Sequence, residues 1–442
     1  MKAIQHTLWG LLAMITGLWL WAESPWLAPA TFLPLRATLV NGTGVLGMAV
    51  MSVAMVLALR PAWLEARLGG LDKMYRLHKW LGISALVLSI AHWASAQAPK
   101  WAVGLGLLTP GQRPPRVPPS DPLAQFFLSQ RHLAESVGEW AFYGAVALMV
   151  LALVKWFPYR VFFKTHRWLA VAYLALVFHA VFLLKFSFWG QALGPVMAVL
   201  MLAGTVSAFA VLFRRVGTHR QSSAVIERLE HHPHVNVLEV TLKLQGPWTG
   251  HQAGQFAFVT FDEAEGPHPF TVGSAWQGDG RLTFLIKALG DYTRTLPERL
   301  QVGQVARVEG PYGRFNFESG KDRQIWVSGG IGIAPFVARM KALAQSPDGR
   351  HIELFHCTAV EDKALLARLK ADAKAARVKL HVLVDGRDGR INARRIARVV
   401  VAWSSADVWF CGPAGFGDSL KQDFARLGLP PSDFHQELFA IR

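Results

Sequence analysis

Six long apolar stretches fill the first half of the chain, at about 5–22, 38–59, 78–97, 137–157, 166–186 and 192–213. Each approaches the roughly 20 residues that a helix needs to cross the hydrocarbon core of a bilayer. Near residue 218 the pattern changes. Runs such as NVLEVTLKL, GQFAFVTF and RLTFLIKAL carry β-type alternation broken by Gly and Pro, and predict a small antiparallel barrel to about 319. Beyond it, strands alternate with helices: QIWVSGG before PFVARMKALA, IELFHC before KALLARLKADAKA, KLHVLVDG, then ADVWFCGP before GDSLKQDFARLG. That order predicts a doubly wound parallel sheet.

Charge orients the apolar half. Basic clusters fall between the second and third stretches (Arg60, Arg67, Lys73, Arg76, Lys79), between the fourth and fifth (Lys155, Arg160, Lys164, Arg167), and after the sixth (Arg214, Arg215). Such clusters mark the cytoplasmic face, so both termini are expected there. The opposite face receives the link near 23–37 and a Pro-rich loop, QAPKWAVGLGLLTPGQRPPRVPPSDP, read as a docking surface or a spacer. The third and fifth helices then run in the same direction. The net charge of +16 on 442 residues is scattered along these flanks, which excludes a nucleic-acid partner and points to the lipid bilayer. Two cysteines, Cys357 and Cys411, imply no disulfide framework. The opening stretch has the apolar run of a signal peptide. However, Leu20 stands where a small residue is needed and a single cation precedes the run, so a retained first helix is expected.

The third stretch, HKWLGISALVLSIAH, is bounded by His78 and His92, and the fifth, HRWLAVAYLALVFH, by His166 and His179. Ionisable groups inside a bilayer are costly and usually functional. On parallel helices the pairs match first with first, His78 with His166 and His92 with His179. Neutral imidazole is a good axial ligand for haem iron, and two bis-histidine b-type haems would stack across the bilayer. A lone histidine here would more often just pack. The spacings differ: fourteen residues return an ideal helix to within about 40° of one face, thirteen leave it about 140° away. Local overwinding, a bulge or turned haems would each reconcile them.

In the barrel, HPFTVGSAW offers Thr271 as a hydroxyl donor near a flavin N5, with Pro269 and Phe270 shaping the wall. IKALGDYTRTL sets strand, Gly turn and helix start together. Its Lys287, Gly290, Tyr292 and Thr293 are candidates around a flavin pyrophosphate, since helix N-termini bind phosphate. GPYGRF is a second Gly turn for the same cofactor. VSGGIGIAPF follows a strand and opens a helix, and its Gly329, Gly330 and Gly332 let backbone approach a pyrophosphate, although the spacing is not G-x-G-x-x-G. CGPAGF places Cys411 at another strand end, beside a nicotinamide ring or as a small core residue.

Together these stretches resemble the flavin-dependent ferredoxin-reductase superfamily. With the four histidines, residues 38–442 resemble the ferric reductase/NADPH oxidase family. The pattern and the resemblance together imply a six-helix transmembrane haem domain over 1–215, an antiparallel β-barrel FAD domain over 216–320 and an α/β Rossmann-like NAD(P)H-binding domain over 321–442. The resemblance implies FAD binding by His268, Pro269, Phe270 and Thr271. NADPH or NADH would be bound by Gly329, Gly330, Gly332, Pro335, Cys411, Gly412 and Pro413, and Phe439 would cover the flavin ring. Thr271, Cys411 and Phe439 are the candidate catalytic residues. No EF-hand loop precedes the first helix. The Arg that NADPH-specific relatives often carry is replaced by HCTAVEDK, where His356, Thr358 and Lys363 are available to a 2′-phosphate.

The expected activity moves electrons from cytoplasmic NAD(P)H through FAD and two haems to an outer acceptor. The acceptor is dioxygen, giving superoxide, or a ferric or cupric chelate. A rival is an electron-delivery subunit feeding a periplasmic partner protein, and the plainest alternative is a flavin reductase on a non-redox anchor. Arg36, Arg131 and His132, placed at the outer ends of the second and fourth helices, are the candidates for the acceptor site. A bacterial inner membrane is the expected location.

Overall fold

The computed structural model describes residues 2–24, 31–109, 120–154 and 156–437. Two compact units emerge. One comprises the residues up to Val216 apart from Gly69–Asp72, and the other comprises Gly69–Asp72 and the residues from Gly217 on.

The first unit is helical: α1 (Lys2–Glu23), α2 (Phe32–Ala58), the short α3 (Ala62–Leu68), α4 (Leu71–Gly104), α5 (Pro122–Leu153), α6 (Tyr159–His166), α7 (Leu169–Leu183), the single turn α8 (Phe186–Trp189) and α9 (Leu193–Leu212). Among the described residues, five spans are long and apolar enough to cross a membrane: α2, α4, α5, α6 with α7, and α9. The first predicted span does form a helix, α1, which packs Ile15, Leu11 and Leu18 on the bundle core, but it is not among these five. α4 and α5 are longer than the apolar pattern suggested. Asp121 caps α5 by accepting from Leu123 N at 3.0 Å, with Pro122 in the first turn, so that helix starts fifteen residues before the expected 137. Arg131 and His132 therefore lie within this helix rather than at its outer end. Small residues let the helices approach closely: a Cβ on Gly204 of α9 would come within 2.0 Å of the Tyr173 hydroxyl on α7.

The second unit begins with β1 (Gln221–His232), β2 (Val237–Leu244), β3 (Phe256–Thr260), β4 (His268–Thr271), β5 (Arg281–Lys287), α10 (Asp291–Arg299) and β6 (Val305–Tyr312). The strands form one antiparallel six-stranded sheet in the order β4-β3-β6-β1-β2-β5. Its edges meet at a single bridge, Val272 with Phe284. Inward residues such as Ile226, Val240, Leu242, Val259 and Phe284 fill the interior.

Then follow β7 (Arg323–Gly329), α11 (Ala334–Gln345), β8 (His351–Thr358), α12 (Lys363–Ala375), β9 (Lys379–Val384), α13 (Ala393–Val399), β10 (Asp407–Cys411), α14 (Ala414–Arg426) and β11 (Phe434–Gln436). These strands make a parallel sheet, ordered β11-β10-β7-β8-β9. One face packs on α11 and α12 through Phe336, Leu343, Leu366 and Leu369; the other packs on α13 and α14 through Ile396, Leu420 and Phe424. Strand order reverses between β7 and β10. Ligands of open α/β sheets bind at such switch points, beyond the carboxyl ends of the strands.

Candidate functional site

α4 and the α6–α7 span bring the four histidines together in the expected pairing. The rings of His78 and His166 have centroids 6.0 Å apart at 68°, and those of His92 and His179 are 6.2 Å apart at 83°. Two imidazoles on one metal ion, with bonds of about 2 Å, hold their centroids about 6 Å apart. Each gap therefore admits a single coordinated iron. The other ring nitrogen is held as a ligand histidine requires. Nδ1 lies 3.0 Å from Ala54 O in His78, 3.0 Å from Val40 O in His92 and 2.8 Å from Ala134 O in His179. A carbonyl accepts only from N–H, so in these three rings Nε2 keeps its lone pair for a metal. Thr43 Oγ1 adds a contact to His92 Nδ1 at 3.3 Å, and the Phe162 ring packs 4.9 Å from His166.

The uneven spacing has a local cause. Between α6 and α7, Trp168 N donates to Thr165 O, Ala170 N to Arg167 O and Val171 N to Trp168 O, three bonds of i→i−3 type at 3.0–3.1 Å. Each residue wound at three per turn advances the chain about 20° beyond α-helical pitch, removing roughly half of the 140° discrepancy.

Sequence reading missed three supporting features. The acceptors Val40 and Ala54 on α2 repeat the fourteen-residue spacing of His92 and His78 in the antiparallel sense. Gly44 leaves room for His92, since a Cβ there would lie 3.2 Å from the ring, and one on Gly138 would fall 1.9 Å from His179 Nδ1. The signal for the glycines, small residues facing a histidine helix, becomes readable only when the partner helix is known.

Arg36 binds backbone: its Nε donates to Ser95 O at 3.2 Å and its Nη2 to Ala96 O at 3.1 Å. It sits one turn before Val40, the acceptor of His92. Arg131 pairs with Glu135 at 2.9 Å, one turn before Ala134, the acceptor of His179. Both cations thus stand at the level of the His92–His179 pair. His132 is exposed on α5.

In the second unit, β4 presents His268, Pro269, Phe270 and Thr271, all half-buried, along one edge of the sheet. His268 stacks on Tyr292 at 4.6 Å; burial lowers its pKa against the pull of Glu265, and burial pushes the Tyr292 phenol up to about 12. Gly290 caps α10, and Thr293 Oγ1 accepts from Gly290 N at 3.0 Å and Leu289 N at 3.1 Å, so that hydroxyl shapes the turn.

The glycines of the parallel sheet divide into two kinds. A Cβ on Gly329 would meet Pro413 Cδ at 2.8 Å, one on Gly332 would meet Cys411 O at 2.2 Å, and one on Gly412 would meet Gly329 N at 2.9 Å. These three exist so that the ends of β7 and β10 can touch. Gly330, with φ +55°, is the open one; its nearest neighbour is Lys287 Nζ at 3.7 Å. Pro335 stands in the first turn of α11.

Two further candidates are enclosed. Cys411 is fully buried among Phe336, Trp409 and their neighbours, and burial raises its thiol pKa well above the ordinary value. Its side chain belongs to the core of the parallel sheet, at the carboxyl end of β10. His356 is buried against Ser328, its Nδ1 2.9 Å from Oγ, and burial lowers it to about 4. At neutral pH this imidazole is therefore uncharged. Thr358 Oγ1 donates to Val360 O at 2.9 Å within the turn after β8, and Lys363 opens α12. Phe439 lies outside the described residues.

Residues 43–177 match the family model of the ferric reductase-like transmembrane component, and 224–316 match that of an FAD-binding domain. The curated relatives are similar over part of the chain. The stachydrine N-demethylase reductase subunit Stc4 of Rhizobium meliloti is 27% identical over 45% of this chain and 62% of its own length. The toluate 1,2-dioxygenase electron transfer component of Pseudomonas putida is 26% identical over 38% and 52%, and the flavohemoprotein of Bordetella pertussis is 28% identical over 39% and 48%. The chain thus spans about half to three fifths of these relatives' lengths. Among solved structures, the Amycolatopsis cytochrome P450 reductase GcoB has a TM-score of 0.44 at 21% identity, covering 50% of this chain and 70% of that one.

Proposed function

Because the chain is an integral membrane protein joining a ferric reductase-like transmembrane component to an FAD-binding domain, we propose that it is a transmembrane oxidoreductase. In this reading electrons enter from NADPH or NADH and leave on the opposite face, to dioxygen or to a ferric or cupric chelate. The domains are 1–215, with α1 as sixth membrane helix, 216–320 and 321–442. The basic clusters hold both termini in the cytoplasm of a bacterial cell whose inner membrane the bundle spans.

When bound, FAD converts a two-electron hydride into single electrons, and two b-type haems relay them. His78 and His166 hold the inner haem, His92 and His179 the outer. The Ala54, Val40 and Ala134 carbonyls keep the ligand nitrogens in the accepting tautomer. The backbone at Gly330 and the Lys287 ammonium receive phosphate charge, Thr271 offers its hydroxyl to the flavin edge, and Pro335, Gly412 and Pro413 shape the nicotinamide side. Gly329 and Gly332 keep the two strand ends in contact. Arg36 and Arg131 supply positive charge where an acceptor becomes more negative.

The observation that carries the reading is the pair of ring gaps of 6.0 and 6.2 Å, with Nδ1 tied to a carbonyl in three of the four rings. The test is the full chain purified in detergent with FAD, mixed with NADPH or NADH and offered each acceptor in turn. Low-spin haem absorbance that reduces on adding nucleotide and reoxidises with dioxygen or a metal chelate is expected. A preparation without haem absorbance overturns the reading, and reoxidation only by an added periplasmic protein replaces the acceptor with that partner.

A further inference from the structure

The stretch Glu230-His231-His232-Pro233-His234, at the turn between β1 and β2, has no part in the electron path. Pairing sets Glu230 directly opposite Glu239, and strand alternation puts His232 on the same face as Glu230. Like charges directly opposite in a sheet are destabilising and call for a cation. His232 and Glu239 have side chains only 10% exposed. His232 Nε2 is buried without a hydrogen-bond partner and is aimed at the two carboxylates, 3.6 Å from Glu230 Oε1 and 3.9 Å from Glu239 Oε2. One ligand atom from each residue lies within 4.8 Å of the others. Ligands on a tetrahedral ion with bonds near 2.1 Å stand roughly 3.4 Å apart, so the two distances from His232 need to shorten by about half an ångström or less and the remaining gap by no more than about 1.4 Å.

The counter-cation now in place is Arg368 of α12. Its Nη1 lies 3.3 Å from Glu230 Oε1 and its Nη2 3.0 Å from Glu239 Oε2, the two oxygens that face His232. The second Glu230 oxygen is held by Arg228. Arg368 is 45% exposed, so a displaced guanidinium would have water to turn into. We propose that Glu230, His232 and Glu239 form a binding site for a divalent transition-metal ion of the zinc class, with water in the fourth position, and that the ion competes with Arg368. One imidazole and two carboxylates suit a borderline ion better than magnesium or calcium, which take oxygen alone. Binding therefore opens the link between the β1–β2 hairpin and α12, and metal occupancy controls how firmly the antiparallel sheet is tied to the nucleotide-binding part.

The experiment is a zinc titration of the detergent-purified, FAD-loaded full chain against a chromophoric chelator. His232→Ala weakens the site at least about tenfold, and Glu239→Gln does the same. Arg368→Gln tightens it by roughly tenfold or more, because no guanidinium has to leave. His234→Ala, outside the ligand set, leaves the affinity unchanged. X-ray absorption at the zinc edge reads one nitrogen and two carboxylate oxygens. Parental affinity in His232→Ala, or unchanged or weaker binding in Arg368→Gln with normal FAD content, overturns the site.

Discussion

The membrane unit and the parallel sheet prepare for their ligands in opposite ways. In the bundle the contacts are side chains held from behind: imidazoles set 6.0 and 6.2 Å apart, with three Nδ1 atoms tied to carbonyls of neighbouring helices. At the β7–β10 switch point the proposed contacts are backbone, and the open space at Gly330 leaves room for them. Lipid explains the difference. Helices satisfy their own main chain in hydrocarbon and have only side chains to offer, whereas strand ends in water leave peptide groups available. A glycine therefore protects a ring in one unit and joins two strands in the other.

The most severe way to break this comparison is to remove a ring. His92→Ala or His179→Ala is expected to abolish the outer haem and leave the inner one, and His78→Ala or His166→Ala the reverse, read as haem per chain and as loss of one of two redox steps. Full haem content in all four variants ends the ligand assignment.

Next come the glycines beside the rings. Gly138→Ala puts a methyl 1.9 Å from His179 Nδ1 and is expected to cost nearly as much outer haem as losing the histidine. Gly44→Ala, at 3.2 Å from His92, shifts the outer potential with partial loss, and Gly144→Ala, with open space around it, changes neither.

In the sheet the two kinds of glycine separate by readout. Gly332→Ala collides with Cys411 O at 2.2 Å and is expected to lower stability by about 2–4 kcal/mol in denaturant unfolding. Gly330→Ala costs about 1 kcal/mol for its positive φ and weakens nucleotide binding instead. Equal losses of stability in both would erase the distinction.

A smaller effect follows from His356. Its pKa falls to about 4 in the folded chain from 6.5. The folded state thus takes up the proton less readily than the unfolded one. The contribution is complete above about pH 6.5 and is lost as pH falls towards 4, by up to about 3 kcal/mol. His356→Gln flattens that part of the stability–pH curve. Least visible is the thiol chemistry: burial raises Cys357 to about 12 and Cys411 well above its ordinary value, so neither reacts with a thiolate-directed reagent near neutral pH until the chain unfolds.

The apolar stretches, the strand–helix alternation and the pairing of His78 with His166 and of His92 with His179 were legible in the sequence, because periodicity and residue type are local and the basic clusters order the helices. The extension of α5 back to Pro122 was less so, since a capped helix can run beyond its apolar window. Tertiary structure alone decided that Cys411 belongs to the core, that His356 is neutral, that Gly329 and Gly332 join strands while Gly330 stays open, and that Arg368 sits across Glu230 and Glu239. Each depends on which distant segment lies alongside. A sequence states what a side chain is able to do, and only the packed neighbour, by supplying or removing water, charge and space, selects what it does.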